Sequence, residues 1–254
     1  MFSKERVNEL FLEIQKKGEV FVKELSIKFD ISEDSIRKDL KFLEKEGLIL
    51  RTYGGAKLKR NYSYYKSLGS RIDENIPQKE IIAEKSFSII NDGDSIFLDT
   101  STINILLAEL ISRSSKKLVI ITNMIDIFNL FENSKNSSQL IGIGGIYRPE
   151  QHGFTGSKTI EEIKKYNVDK SFVGTGGINV YTGNISTLTT DDGLTKSAII
   201  DISNETYIIT ENIKLQKDSF FNFSNLSKVK GCIFNTLEDE IILEKLKNYD
   251  LIIM

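Results

Sequence analysis

The sequence predicts a small α-helical domain that carries a β-hairpin wing, followed by an α/β domain built on a mostly parallel sheet. Three observations predict it. Residues 32–56 pair a short amphipathic helix, cationic on one side, with a strand that runs into two glycines. From residue 78 onward, short apolar runs alternate with helical stretches. Charge also shifts along the chain: the first sixty residues hold 14 Lys/Arg against 11 Asp/Glu, and the remainder 20 against 25.

In the first segment, Val7, Leu10, Phe11 and Ile14 form a helical stripe across residues 4–17, which Gly18 ends. Val22, Leu25 and Phe29 make a second, shorter stripe. Asp30 and Ile31 lead into a third helix at residues 32–45, where Ser32 is the expected N-cap. Glu33 and Asp34 then lie in the first turn and favour the positive end of the helix dipole. Ile36, Leu40 and Leu43 share one buried stripe, which turns Arg37, Lys38, Lys41 and Lys45 to the opposite side. Residues 48–51 read as a strand, and Gly54 with Gly55 permits the tight reversal of a wing.

In this order the elements make a winged helix-turn-helix, whose third helix enters the major groove of double-stranded DNA. Ser32, Ser35, Arg37, Lys38 and Lys41 are the expected contacts to phosphates or bases, and Arg51 and Tyr53 those of the wing. A merely solvated basic face is the competing reading, and it leaves the motif order unexplained.

Residues 1–57 are therefore read as the DNA-binding domain, 58–77 as a linker and 78–254 as an α/β effector-sensing and oligomerisation domain. The linker shows no clear period and is expected to pack in places through Tyr62, Tyr64 and Tyr65. Strand candidates follow at 95–99, 118–122, 140–143, 170–174, 206–210, 231–234 and 251–254. Helical stretches lie at 78–91, 102–113, 159–166, 191–202 and 237–248. Such alternation implies a mostly parallel sheet with helices on both faces.

Ligands bind such sheets outside the carboxyl ends of the strands. There the sequence places Asp99, Ser101 and Thr102, then Thr122 and Asn123, then Gly144 and Gly145, then Gly174 and Gly176. Hydroxyls and free N–H groups at helix starts suit a phosphate, and Lys79, Lys196 and Lys214 are the candidate neutralising charges. Asp99 and Asn123 are the expected partners of sugar hydroxyls. For any single loop, ordinary strand-to-helix turn chemistry explains the same residues; four such loops at one sheet edge favour a ligand site.

Composition excludes several classes. At 254 residues, 40% hydrophobic and 28% charged, the chain is an ordinary globular protein of two domains. No window is apolar enough to span a membrane and residues 1–10 lack an apolar export signal, so a cytoplasmic location is expected. Cys232 is the only cysteine, which excludes an internal disulfide, and it reads as an inert core residue. His152 is the only histidine, so no histidine-rich metal site is expected. There is no Walker A pattern, and residues 174–179 miss the third glycine of a dinucleotide fingerprint. No cofactor or metal is expected.

The run S-E-D-S-I-R-K-D-L, followed by L-E-K-E-G-L-I-L-R-T-Y-G-G-A, resembles the signature of DeoR-family bacterial transcription regulators. Ile31, Ser35, Lys38 and Tyr53 stand where that family usually has Val, Thr, Arg and His. Residues 79–254 are similar to the family's sensor domain, which is related in fold to ribose-5-phosphate isomerase and glucosamine-6-phosphate deaminase. Matching landmarks lie at 79–83, 92–99, Thr122-Asn123, Gly144-Gly145, 174–178 and 183–187. Three departures concern the ligand: Ser101-Thr102-Ile103 replaces G-T-T, Asp192-Gly193 replaces E-A, and residues 211–214 replace D-S-S-K while keeping Lys214.

The resemblance implies a transcriptional regulator, a repressor of sugar or related carbon metabolism, that responds to a phosphorylated sugar. Its expected partners are operator DNA, that effector and further copies of itself, with no membrane. The alternative is a sugar-phosphate isomerase or deaminase-like enzyme with an accessory N-terminal domain. It would need a poised carboxylate base, for which Asp99, Asp191, Asp192 and Glu211 are available. A non-sensing oligomerisation domain would leave the polar loops without a purpose.

Overall fold

The computed structural model describes residues 3–63, 66–132 and 134–254; Tyr64 and Tyr65, expected to pack within the linker, lie outside the described residues. The chain divides into two compact units, Met1–Asn61 and Tyr62–Met254.

In the first unit, helices α1 (Ser3–Lys17), α2 (Val22–Phe29) and α3 (Glu33–Lys45) carry the predicted stripes. Leu10, Ile14, Leu25, Ile36, Leu40 and Leu43 meet in one core. The α2–α3 turn is fixed by Asp30 at φ 50°, a left-handed position that Asp tolerates, and by Ser26 Oγ donating to the Ile31 carbonyl at 2.5 Å. Arg6 on α1 grips Asp39 on α3 through two bonds of 2.7 and 3.0 Å. The wing consists of β2 (Ile49–Thr52) and β3 (Gly55–Leu58).

A third strand, β1 (Glu19–Phe21), pairs antiparallel with β3, so the sheet order is β1-β3-β2. Three residues are too few to show an alternation in sequence. This strand also separates the two wing glycines. Gly54 takes the left-handed φ of 83° in the turn, whereas Gly55 is already in β3 opposite Phe21, where a Cβ would lie 2.1 Å from the Val20 carbonyl oxygen. The reversal is thus Tyr53-Gly54, not the expected Gly54-Gly55.

The second unit is built on a seven-stranded sheet, with strands ordered 252–253, 231–233, 203–209, 168–174, 95–98, 119–122 and 139–142. Every pairing is parallel. Each strand answers to a predicted apolar run. Alternate side chains feed two cores: Phe97, Val173 and Ile208 on one face, Ile96, Leu98, Phe172 and Ile209 on the other. Helices α4 (Leu68–Ile72), α5 (Ile76–Ser88), α6 (Thr102–Ser112) and α7 (Ile125–Glu132) cover the second face. The first face receives α8 (Ser157–Ile163), α9 (Thr190–Asp201) and α10 (Glu240–Leu246). A small antiparallel sheet of residues 177–178, 184–187 and 221–225 packs there too. Among the described residues no helix is long and apolar enough to cross a membrane.

The stretch read as a linker is not featureless. Within it, Ser67 caps α4, and Leu68 is fully buried against the second face. One buried residue in a five-residue helix leaves no period to detect.

Strand order reverses at the strand 95–98. From there the chain steps to 119–122 and 139–142 on one side, then crosses to 168–174 on the other. Such a reversal opens a crevice at the carboxyl ends of the two strands that flank it.

Candidate functional site

The first site is the outer side of α3 and the wing. Ser32 caps α3: its Oγ accepts the Ser35 N–H at 3.3 Å and lies 3.0 Å from Ser35 Oγ. Lys38 and Lys41 are exposed and make no ion pair among the described residues. Arg37 is exposed as well, yet it is tied to Glu33 at 2.5 Å and to Asp34 at 2.9 Å on its own helix. In the wing, the Arg51 N–H donates to Glu44 Oε1 at 3.2 Å, and its guanidinium lies 3.7 Å from Glu44 Oε2. Tyr53 stands fully exposed at the turn. Phe42, an apolar residue that charge patterning does not single out, is more than half exposed one turn beyond Lys38.

The second site is a cavity of about 400 Å³ in the second unit, at the reversal of the sheet. Its walls come from the loops after strands 95–98, 168–174 and 203–209, from α4 and its flanks, and from residues 150–151. Of the predicted residues, Lys79, Ser101, Thr102, Gly174, Gly176, Lys196 and Lys214 line it. Ser101 Oγ caps α6 by accepting the Ile103 N–H at 3.2 Å. Gly174 packs so closely on Ser101 that a Cβ would lie 3.0 Å from the serine Cβ, and at Gly176 a Cβ would meet Ser219 Oγ at 2.4 Å.

Asp99 lies beneath the floor rather than on it. It is fully buried, accepts Nζ of Lys196 and accepts the Gly174 N–H at 3.1 Å, so the structure withdraws it from sugar hydroxyls. Thr122, Asn123, Gly144 and Gly145 do not line the cavity either. A hairpin of residues 146–148 and 153–155 covers Asn123: Phe154 N–H donates to the Asn123 carbonyl at 2.8 Å, and Asn123 Nδ2 donates back to Phe154 O at 2.9 Å, while Gly144 is exposed. Thr122 Oγ1 donates to Leu98 O at 2.7 Å, and at Gly145 a Cβ would collide with Thr159 Oγ1 at 1.9 Å. The four expected loops therefore do not all converge.

The three predicted lysines have different duties. Lys79 is buried and donates to the Arg71 and Ile72 carbonyls at the end of α4. Burial pushes its ammonium below the ordinary lysine range, although Glu211 pulls the other way. Lys196 is buried between Asp99 and Asp192, the latter 3.3 Å away. Burial opposes its charge, but Asp192 and Asp99 outweigh that and hold its pKa above the ordinary value.

Lys214 is the cation without such partners: its side chain makes no ion pair or hydrogen bond among the described residues. Burial, then Lys217 and Arg71, push its pKa down to about 8 against the pull of Glu211. Lys66, Arg71 and Lys217 line the same cavity and were missed, because two of them fall in the apparent linker. Lys66 is paired with Glu74 at 2.7 Å.

The carboxylates considered for enzymatic chemistry are engaged. Asp192 Oδ2 accepts the Thr187 hydroxyl at 2.5 Å, Asp191 pairs with Arg148 at 2.7 Å and Glu211 accepts from Asn75 at 2.7 Å. Among the described residues no cluster of His, Cys, Asp or Glu is arranged to hold a metal ion.

Comparison with known proteins agrees with this division. Residues 6–61 match the DeoR-like helix-turn-helix domain, and residues 74–236 match the DeoR C terminal sensor domain. The chain is 29% identical over 247 residues to the lactose phosphotransferase system repressor of Staphylococcus aureus, covering 96% of each protein. It is 29% identical to the protein of the same name from Streptococcus mutans, over the full length of both. Against the HTH-type transcriptional repressor GlcR of Bacillus subtilis it is 26% identical, covering 97% of this chain and 93% of that one. Among solved structures, ribose 5-phosphate isomerase A of Methanocaldococcus jannaschii aligns with a TM-score of 0.41 and 15% identity, over 56% of this chain and 55% of that one.

Proposed function

This chain belongs to the DeoR family and is a DNA-binding transcriptional regulator, and we propose that it represses a sugar-uptake gene set until a phosphorylated sugar fills the cavity. The relatives' names, repressors of a lactose phosphotransferase system, support the gene class. The observation that carries the effector is the charge around Lys214. Besides the buried Lys79 and Lys196, four cations, Lys66, Arg71, Lys214 and Lys217, line one cavity, and Lys214 is depressed to about 8 by burial and these neighbours. A dianionic phosphate relieves that excess. The hydroxyls of Ser101 and Thr102 add donors at the start of α6.

The protein acts as a homo-oligomer, since one winged unit offers few contacts and two read a repeated operator. It works in the cytoplasm, where its operator lies, and it turns nothing over, because Asp99, Asp191, Asp192 and Glu211 are engaged within the protein. The test is a calorimetric screen of sugar phosphates on wild type and Lys214→Ala, followed by operator binding with the best ligand. Tight binding that is lost in Lys214→Ala and that releases DNA is the expected result. Turnover of the ligand would restore the enzyme alternative, and a ligand with no effect on DNA would remove the regulatory one.

A further inference from the structure

Gln151 sits at the tip of the hairpin 146–155, in a short turn of residues Pro149–Gln151. Its neighbours hold that tip firmly. Arg148 Nη2 reaches Asp191 at 2.7 Å, His152 Nδ1 lies 3.1 Å from Asp126 Oδ2, and Ile125 N–H donates to the His152 carbonyl at 2.9 Å. His152 holds a left-handed φ of 51°. Gly153 is pressed so close that a Cβ would lie 2.4 Å from the Thr100 methyl. A tip fixed in this way holds the backbone of Gln151 in one place before a ligand arrives, and leaves its amide free to turn.

Gln151 lines the cavity, and its Oε1 is buried without a hydrogen-bond partner, so a turn of the amide about its last side-chain bond brings that oxygen to the cavity surface when a ligand hydroxyl arrives. Among the described residues, it is the one unpartnered buried side-chain atom that belongs to a cavity-lining residue. Several other polar groups of the lining are engaged, Asn75 with Glu211, Thr187 with Asp192, and Thr175 with the Ser186 carbonyl at 2.8 Å, whereas the neighbouring Glu150 is exposed at the rim. A buried amide oxygen without a donor is costly, and in a native fold it calls for a reason.

Lysine and arginine only donate, so the cations that suit a phosphate cannot recognise the hydrogen of a hydroxyl. An acceptor must do that. Resting on the reading of this cavity as the effector site, we infer that Gln151 determines which sugar phosphate is recognised, by accepting a hydrogen bond from a hydroxyl on the sugar portion. A ligand of this cavity then needs two features: an anion for the cations, and a hydroxyl placed for Gln151 Oε1. Inorganic phosphate has only the first of these at the right end.

The test titrates the full-length protein calorimetrically with inorganic phosphate and with a panel of aldose and ketose hexose and pentose phosphates. Wild type, Gln151→Met, Gln151→Ala and Lys214→Ala are compared. The expected result is that both Gln151 variants bind the preferred sugar phosphate about tenfold more weakly and inorganic phosphate as before. Deoxy analogues of that sugar should include one that binds wild type as weakly as the parent binds Gln151→Met. Lys214→Ala should weaken sugar phosphate and inorganic phosphate together. Equal losses for both probes in the Gln151 variants, or no loss in either, would overturn the role of Gln151 while leaving the phosphate site intact. A wild type that binds no phosphate-bearing probe would overturn the cavity reading, and this inference with it.

Discussion

Lys196 on α9 and Asp99 at the end of the first sheet strand form an ion pair whose side chains are 4% and 1% exposed. Asp192, one turn before Lys196, lies 3.3 Å from the same ammonium. One cation therefore serves two buried carboxylates, beneath the crevice where the sheet reverses. This arrangement takes Lys196 and Asp99 out of the pool of ligand groups and gives them to the fold. It also welds α9 to the strand whose loop opens the cavity.

Removing the shared cation should be severe. Lys196→Met leaves two buried carboxylates facing each other without compensation, and a loss of about 3–5 kcal/mol is expected. Asp192→Asn instead leaves a neutral Lys196–Asp99 pair, with the Thr187 hydroxyl still able to donate, and should cost about 1 kcal/mol. Urea unfolding of both variants checks this; equal losses would mean that the triad does not behave as one charge cluster.

On α3 the cations are not equivalent. Lys38 and Lys41 are free to meet phosphates, whereas Arg37 is held by Glu33 and Asp34. Lys38→Ala and Lys41→Ala should each reduce the slope of log K against log salt by about 0.9. Glu33→Gln with Asp34→Asn should tighten operator binding at low salt, because it frees Arg37 and removes two anions from the DNA side. Fluorescence anisotropy across a salt series reads both effects. A slope unchanged in Lys38→Ala with Lys41→Ala would remove α3 from the groove.

Effector affinity should depend on pH in a definite direction. Lys214 has a free-state pKa of about 8, and a bound phosphate raises it by stabilising the ammonium. Below that value the lysine is already charged and affinity is at its plateau. As pH rises above it, binding must first restore the proton, so affinity falls by up to about tenfold per pH unit until the bound-state pKa is reached. At the acid end, affinity falls as the phosphate loses its second charge near pH ~6. Lys214→Ala should abolish the alkaline fall and keep the acid one, which calorimetry between these limits would show.

Periodicity made the architecture legible and left the site half hidden. Ile36, Leu40 and Leu43 announce α3 because a buried helix face repeats at that spacing. The seven strands announce themselves because a parallel sheet, covered on both faces, needs continuous apolar runs. The cavity follows from strand order instead, and no local pattern records which two loops flank the reversal. Gly144 and Gly145 therefore look the same as Gly174 and Gly176, although the first pair leads into a hairpin without lining the cavity and the crevice opens beside the second. Arg71 and Lys66 were invisible for a different reason. They belong to a stretch anchored by Leu68, too short for any stripe.

The wing offers a contrast between two adjacent glycines that sequence assigns to one turn. Gly54 has the positive φ of 83° but open space around its Cα hydrogens, so Gly54→Ala meets only backbone strain, about 1–2 kcal/mol. Gly55 needs no unusual φ, yet a Cβ there would lie 2.1 Å from the Val20 carbonyl oxygen, a main-chain atom inside the β1–β3 ladder. That atom cannot swing aside as a side chain would, so β1 must part from β3. Gly55→Ala is expected to cost about 3 kcal/mol, at the upper end for overpacking. It should also expose the amides of Glu19–Phe21 to hydrogen exchange and weaken operator binding. Gly54→Ala should leave those amides protected. Exchange measured on both variants decides the matter: if Gly54→Ala opens β1 as readily as Gly55→Ala, close approach is not the reason for the second glycine.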